Sequence, residues 1–148
     1  MQPVLRKLAA SDIPALVQLE KNCFSDPWSE RILMDLPESC LDETWVLETE
    51  GKEVAGYINF RFLSGEGELM RIAVLPEFRG CGYARKMMEQ MVKSAEENQA
   101  QDLTLEVRAG NVPAINLYKS YGFRKEAVRK KYYHNPEEDA FIMWRRES

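Results

Sequence analysis

A chain of 148 residues with 20 Lys and Arg against 24 Asp and Glu has a formal charge of -4 at pH 7. That balance excludes the Lys/Arg surplus on which broad, sequence-independent nucleic-acid binding rests, although Arg124, Lys125, Arg129, Lys130 and Lys131 form a local basic cluster. The three cysteines, Cys23, Cys40 and Cys81, show neither CxxC nor His spacing, so neither a disulfide framework nor a metal site is indicated. The N-terminus, MQPVLRKLAA, has no continuous apolar stretch, and no apolar run elsewhere approaches the length needed to span a membrane. The expectation is a cytoplasmic protein with no membrane contact, folded as a single domain over residues 1–148.

Val4 to Leu8 is a short strand candidate. Ser11 and Asp12 can cap a helix that has Pro14 in its first turn, with Ile13, Leu16, Val17 and Leu19 on one face as far as Cys23. Phe24 to Ser29, FSDPWS, interrupts the chain, and Asp26 or Ser29 can cap a second helix that runs to about Leu36 before Pro37 stops it. Trp45 to Thr49 and Val54 to Leu63 read as strands joined by a tight turn at Glu50-Gly51-Lys52. Ser64-Gly65-Glu66-Gly67 turns the chain into a third strand, Leu69 to Leu75, which completes an antiparallel meander.

After the loop Arg79 to Gly82, the residues Ala84, Met87, Met88, Met91, Val92 and Ala95 recur at helical spacing. The methionines on that face are read as core filler against a sheet. Leu103, Leu105 and Val107 alternate with Thr104, Glu106 and Arg108, which marks a strand with two distinct faces. Asn111 caps a further helix with Pro113 near its start and Gly122 at its end. Phe123 to about Tyr132 and Ala140 to Arg145 are the last two strands, separated by the polar turn His134 to Glu138. The order β-α-α-β-β-β-α-β-α-β-β defines an α+β, or mixed α/β, pattern built on one sheet.

The loop Arg79-Gly80-Cys81-Gly82-Tyr83-Ala84 joins a strand to a long helix. Such a junction presents backbone N–H groups and the positive end of a helix dipole, which suits a phosphate. It is not a Walker loop, because the Gly-Lys-Ser/Thr ending is absent, and it is not the dinucleotide fingerprint, because Arg85 stands where GxGxxG needs its third glycine.

Arg79-x-x-Gly82-x-Ala84, after the Ile72-Ala73-Val74 strand and before the amphipathic helix, resembles the Q/R-x-x-G-x-G/A signature of the GNAT acetyltransferase superfamily. Within it the chain is most similar to the bacterial ribosomal-protein alanine N-acetyltransferases. That closer match is carried by Phe24 to Ser29, Leu105 to Asn111, Ala114 to Tyr118, Tyr121-Gly122-Phe123 and Arg129 to Tyr133. Two departures stand out: Gly80 where many relatives carry a side chain, and Gly110 where close relatives have Ser.

The resemblance implies a GNAT fold: one mostly antiparallel sheet of about seven strands with four helices, and a splayed parallel pair of strands that holds acetyl-CoA. By the same resemblance Ile72, Ala73 and Val74 pair with the pantetheine arm, and Gly80, Cys81, Gly82, Tyr83, Ala84 and Arg85 surround the pyrophosphate. Asn111 hydrogen-bonds the cofactor, Glu106 is the general base and Tyr118 the general acid. On the acceptor side stand Trp28, Tyr132 and Tyr133. The implied acceptor is a ribosomal-protein N-terminus, the N-terminal alanine of small-subunit protein eighteen, with no metal, no nucleic acid and no membrane involved.

Reaction chemistry supports these residue types independently. An amine attacks a thioester only when neutral, and with pKa values of about 7.7–8.0 for an α-amine and about 10.4 for Lys, the former is far the readier nucleophile at pH 7. Glu106 lies on the strand face opposite Leu105 and Val107, where it can accept a proton, and the Tyr118 hydroxyl suits a departing thiolate. Read without the family, Glu106 is a solvated residue or pairs with Arg108, Tyr118 is a core-edge aromatic, and Cys81 and His134 are incidental loop residues. The remaining alternatives are acetylation of Lys side chains, of other protein N-termini or of a small amine, and a non-catalytic acyl-CoA-binding module.

Overall fold

A computed structural model describes residues 3–146. The elements follow the expected order: β1 Val4–Lys7, α1 Ile13–Cys23, α2 Glu30–Asp35, β2 Asp42–Glu48, β3 Val54–Leu63, β4 Glu66–Val74, α3 Tyr83–Glu97, β5 Asp102–Arg108, α4 Val112–Ser120, β6 Arg124–Tyr133 and β7 Glu138–Arg145. Seven strands form one sheet in the order β1-β2-β3-β4-β5-β7-β6. Every neighbouring pair is antiparallel except β4 and β5, which are parallel and are connected by α3, the crossover that a parallel pair requires. No helix among the described residues is long and apolar enough to cross a membrane.

The sheet is covered on both faces. Met87, Met88 and Met91 of α3 are fully buried with Leu103, Leu105, Phe60 and Phe123, so the methionine stripe is core filler. Leu16 and Leu19 of α1 and Leu33 of α2 pack with Val46 and Tyr57 in a second cluster. Ser29, not Asp26, caps α2, its hydroxyl accepting the Ile32 N–H at 3.3 Å.

Three strands begin earlier than alternation alone suggests: β2, β4 and β7, the last at Glu138 in place of Ala140 because Glu138 pairs with Tyr133. Ser64 and Gly65 have φ values of 53° and 83°, the twist that a two-residue hairpin turn demands, so pairing resumes at once with Leu63 opposite Glu66. β2 starts at Asp42 because β3 is long enough to pair with it, and Arg61 directly opposite holds the Asp42 carboxylate at 3.1 Å.

β4 positions the site. Asn59 faces Arg71 but Phe60 faces Leu69, which leaves Met70 as an extra residue and bends the strand. β4 and β5 pair only at Glu66–Asp102, Gly67–Leu103 and Glu68–Thr104. Beyond the bend the two strands part and leave a gap between them.

Candidate active site

The gap opens into two adjoining cavities. The larger, about 750 Å³, is lined by Ile72, Ala73, Val74, Gly80, Gly82, Tyr83, Ala84, Arg85, Asn111 and Tyr118 among others. The Leu75 N–H donates to the Ala55 carbonyl, and alternation along this antiparallel ladder turns the backbone groups of Val74 and Ile72 away from β3, toward the gap. The Val74 carbonyl is already occupied, by Arg79 Nε at 3.0 Å and the Cys23 thiol at 3.5 Å. An extended ligand along this edge therefore meets a strand with its N–H groups exposed.

At the far end of this cavity α3 begins. Gly80 and Gly82 both have a φ of 82°, a conformation that glycine adopts without steric cost. Gly82 caps α3 with no side chain, and the first intrahelical bond runs from the Lys86 N–H to the Gly82 carbonyl. The N–H groups of Tyr83, Ala84 and Arg85 consequently have no acceptor within the helix and point, with the dipole, at the cavity. That donor set fits a pyrophosphate. Cys81 is exposed and does not line the cavity.

The smaller cavity, about 370 Å³, is lined by Phe24, Ser25, Asp26, Arg71, Glu106, Arg108, Tyr118, Tyr133 and Pro136 among others. Glu106 Oε2 is buried and has no hydrogen-bond partner among the described residues. Arg108, the alternative partner on its own strand face, is engaged instead with Glu138 at 3.3 Å. A buried carboxylate oxygen left without a donor is costly unless something arrives to use it. Tyr118 is 5% exposed, borders both cavities, and meets Phe123 edge-on at 6.1 Å. Burial, then the neighbouring Tyr133, holds its hydroxyl well above the ordinary tyrosine range, so it remains a proton donor.

The other sequence candidates separate here. Tyr133 lines the smaller cavity, and burial followed by the Glu106 charge pushes its hydroxyl up to about 12. Tyr132, 44% exposed, lines neither cavity, though burial and the Glu106 carboxylate raise its pKa too. Asn111 borders both cavities, with its Oδ1 accepting the Ala114 N–H at 3.3 Å as the α4 cap. Trp28 stands behind the wall, its ring 4.9 Å from the Arg71 guanidinium.

That guanidinium belongs to a network that sequence reasoning missed. Arg71 pairs with Glu20, stacks at 3.6 Å on Phe24 and donates to the Asp26 carbonyl at 3.0 Å. Glu20 also accepts from the Trp28 N–H and the Tyr57 hydroxyl. Together they pin the α1–α2 loop beneath the smaller cavity. A signal was present: Glu20 lies four residues after Leu16 on the apolar face of α1, and Arg71 interrupts the apolar run LMRIAV.

The strand pair thus parts around a cavity with a helix start that has no side-chain cap on one side and a buried Glu106 oxygen and Tyr118 on the other. Residues 13–123 match the model of the acetyltransferase (GNAT) family, and the chain belongs to that family. It is an N-acetyltransferase. It is 34% identical over 139 residues to the [ribosomal protein bS18]-alanine N-acetyltransferase of Salmonella typhimurium, covering 92% of this chain and 92% of that relative. The enzyme of the same name from Escherichia coli strain K12 is 33% identical over 142 residues, covering 94% of each chain. The crystal structure of the ribosomal-protein-S18-alanine N-acetyltransferase from Escherichia coli superposes with a TM-score of 0.90 at 31% identity, covering 99% of this chain and 95% of that one.

Proposed function

We propose that this chain transfers the acetyl group of acetyl-CoA to a protein N-terminal α-amine, that of the N-terminal alanine of ribosomal protein bS18, and that the sheet and its helices act as one catalytic unit. A ribosomal acceptor calls for a cytoplasmic enzyme, the compartment this reading requires. The observation that carries it is the junction of the two cavities, where Tyr118 and Asn111 border both while the unpartnered Glu106 oxygen is buried beside the smaller one.

In this reading acetyl-CoA supplies an acetyl thioester, with its pyrophosphate at the start of α3 and its pantetheine along Ile72 to Val74. The acceptor enters the smaller cavity. Glu106 takes the amine proton, directly or through a water, as the nitrogen attacks. The Val74 N–H, turned to the gap, donates to the developing oxyanion. Tyr118, kept protonated by its burial, gives its proton to the departing sulfur. Cys23 borders both cavities, but its raised pKa keeps it a thiol engaged with the Val74 carbonyl, and no enzyme-bound acyl group is needed.

The deciding experiment combines the purified protein with acetyl-CoA and a peptide that begins with Ala. Release of CoA together with an N-terminally acetylated peptide is expected. Tight acetyl-CoA binding with no transfer to any peptide N-terminus would identify a binding module instead, and transfer to Lys side chains alone would replace the acceptor. Intact masses of ribosomal proteins from cells with and without the gene then test bS18 directly.

A further inference from the structure

Arg108, the last residue of β5, holds together segments that are far apart in sequence. Its Nη2 donates to Ser25 Oγ at 3.2 Å, in the α1–α2 loop, and to the His134 carbonyl at 3.0 Å, in the β6–β7 turn. Its Nη1 donates to the Pro136 carbonyl at 2.9 Å and the Glu138 carboxylate at 3.3 Å. The guanidinium also lies 4.5 Å over the Tyr133 ring. Glu138 in turn accepts the Gly110 N–H of the loop before α4. Ser25, Arg108, Tyr133 and Pro136 all line the smaller cavity, so one side chain spans it from wall to wall.

The geometry suits arginine alone. A planar fork with five donors can serve four oxygens in two directions, whereas a lysine ammonium is a single point. The turn it holds follows an irregular stretch of β6, where the register with β7 shifts between Arg129 and Tyr133 and only the Tyr133–Glu138 pair closes the strands beside the turn. Glu138 balances the Arg108 charge, so the guanidinium is not a spare cation for the reacting atoms.

We propose that Arg108 is the positioning residue of the acceptor site: by tying the α1–α2 loop to the β6–β7 turn it sets the width of the cavity in which the amine meets Glu106. This rests on the reading of the smaller cavity as the acceptor site. The larger cavity does not depend on the tie.

Two variants test it. Arg108→Lys keeps the charge but loses most of the fork, and it should raise KM for an Ala-initiated peptide about tenfold, the scale of losing one hydrogen bond to a charged group, with KM for acetyl-CoA unchanged. Ser25→Ala removes only the bond across the cavity and should move the peptide KM in the same direction by about fivefold or less, the worth of one hydrogen bond. Amide hydrogen exchange on both variants should show segments 24–28 and 133–138 loosening together. An unchanged peptide KM in both variants of an active enzyme, equal rises in the two KM values, or exchange that leaves the far loop unaffected would each overturn the proposal. Exchange needs no turnover, so a wild-type protein that transfers to no peptide defeats the functional reading while exchange still decides the tie.

Discussion

Arg71 and Glu20, on β4 and α1, form a two-point ion pair: Nη2 to Oε1 at 2.6 Å and Nε to Oε2 at 3.1 Å, with Glu20 only 1% exposed. Removing one partner strands the other charge in a low-dielectric site. Glu20→Gln should destabilise the protein by about 3–5 kcal/mol, the range for breaking buried pairs, and urea unfolding at unchanged m-value measures it. Replacing both partners together, Glu20→Leu with Arg71→Met, should recover only part of that loss: no charge is then left buried, but the Tyr57 hydroxyl and the Trp28 N–H lose their acceptor.

Glu106→Gln and Tyr118→Phe preserve shape and remove only proton-transfer capacity. Each should lower kcat by about 10²–10⁴, the usual contribution of a general acid or base, while calorimetry finds acetyl-CoA affinity unchanged. Normal turnover in both variants would show that the proton-transfer roles lie elsewhere.

Gly82 has a φ of 82°, and a Cβ built there meets nothing within 4 Å. The cost of Gly82→Ala is therefore backbone strain alone, about 1–2 kcal/mol for a left-handed residue. Because this residue aims the first N–H groups of α3, KM for acetyl-CoA should rise while the peptide KM holds. Gly82→Asn, which tolerates that conformation better, should be milder.

The raised Tyr118 pKa has a definite sign. The donor must carry its proton, and a folded pKa above the ordinary value means that the proton is lost only above the usual tyrosine range, about 10. The rate at low peptide concentration should climb as the acceptor amine loses its proton near about pH 8, then stay level to about pH 9.5. A descending limb near neutrality in the wild type, absent in Tyr118→Phe, would show that the Tyr118 hydroxyl titrates below the ordinary tyrosine range and would contradict its raised pKa.

Much of the fold was legible because local chemistry and tertiary context agree. The α3 methionines, the two-faced strand Leu103 to Val107 and the Asn111 cap were readable from spacing, and Gly80 and Gly82 marked a backbone turn before any φ was known. The ion network was less legible, since Glu20 and Arg71 lie 51 residues apart and only a sheet laid over α1 brings them together.

What the sequence determined by itself was the succession of elements, the two-glycine loop before α3 and the places of a carboxylate on β5 and a tyrosine on α4, because periodicity, capping and turn chemistry act within a few residues. What only the tertiary structure decided was where those groups meet. The Met70 bulge that parts β4 from β5, the Glu106 oxygen buried without a partner, and the Arg108 tie from Ser25 to the β6–β7 turn all depend on strand register and loop closure. Those are set by packing between segments distant in the chain, which no local pattern encodes.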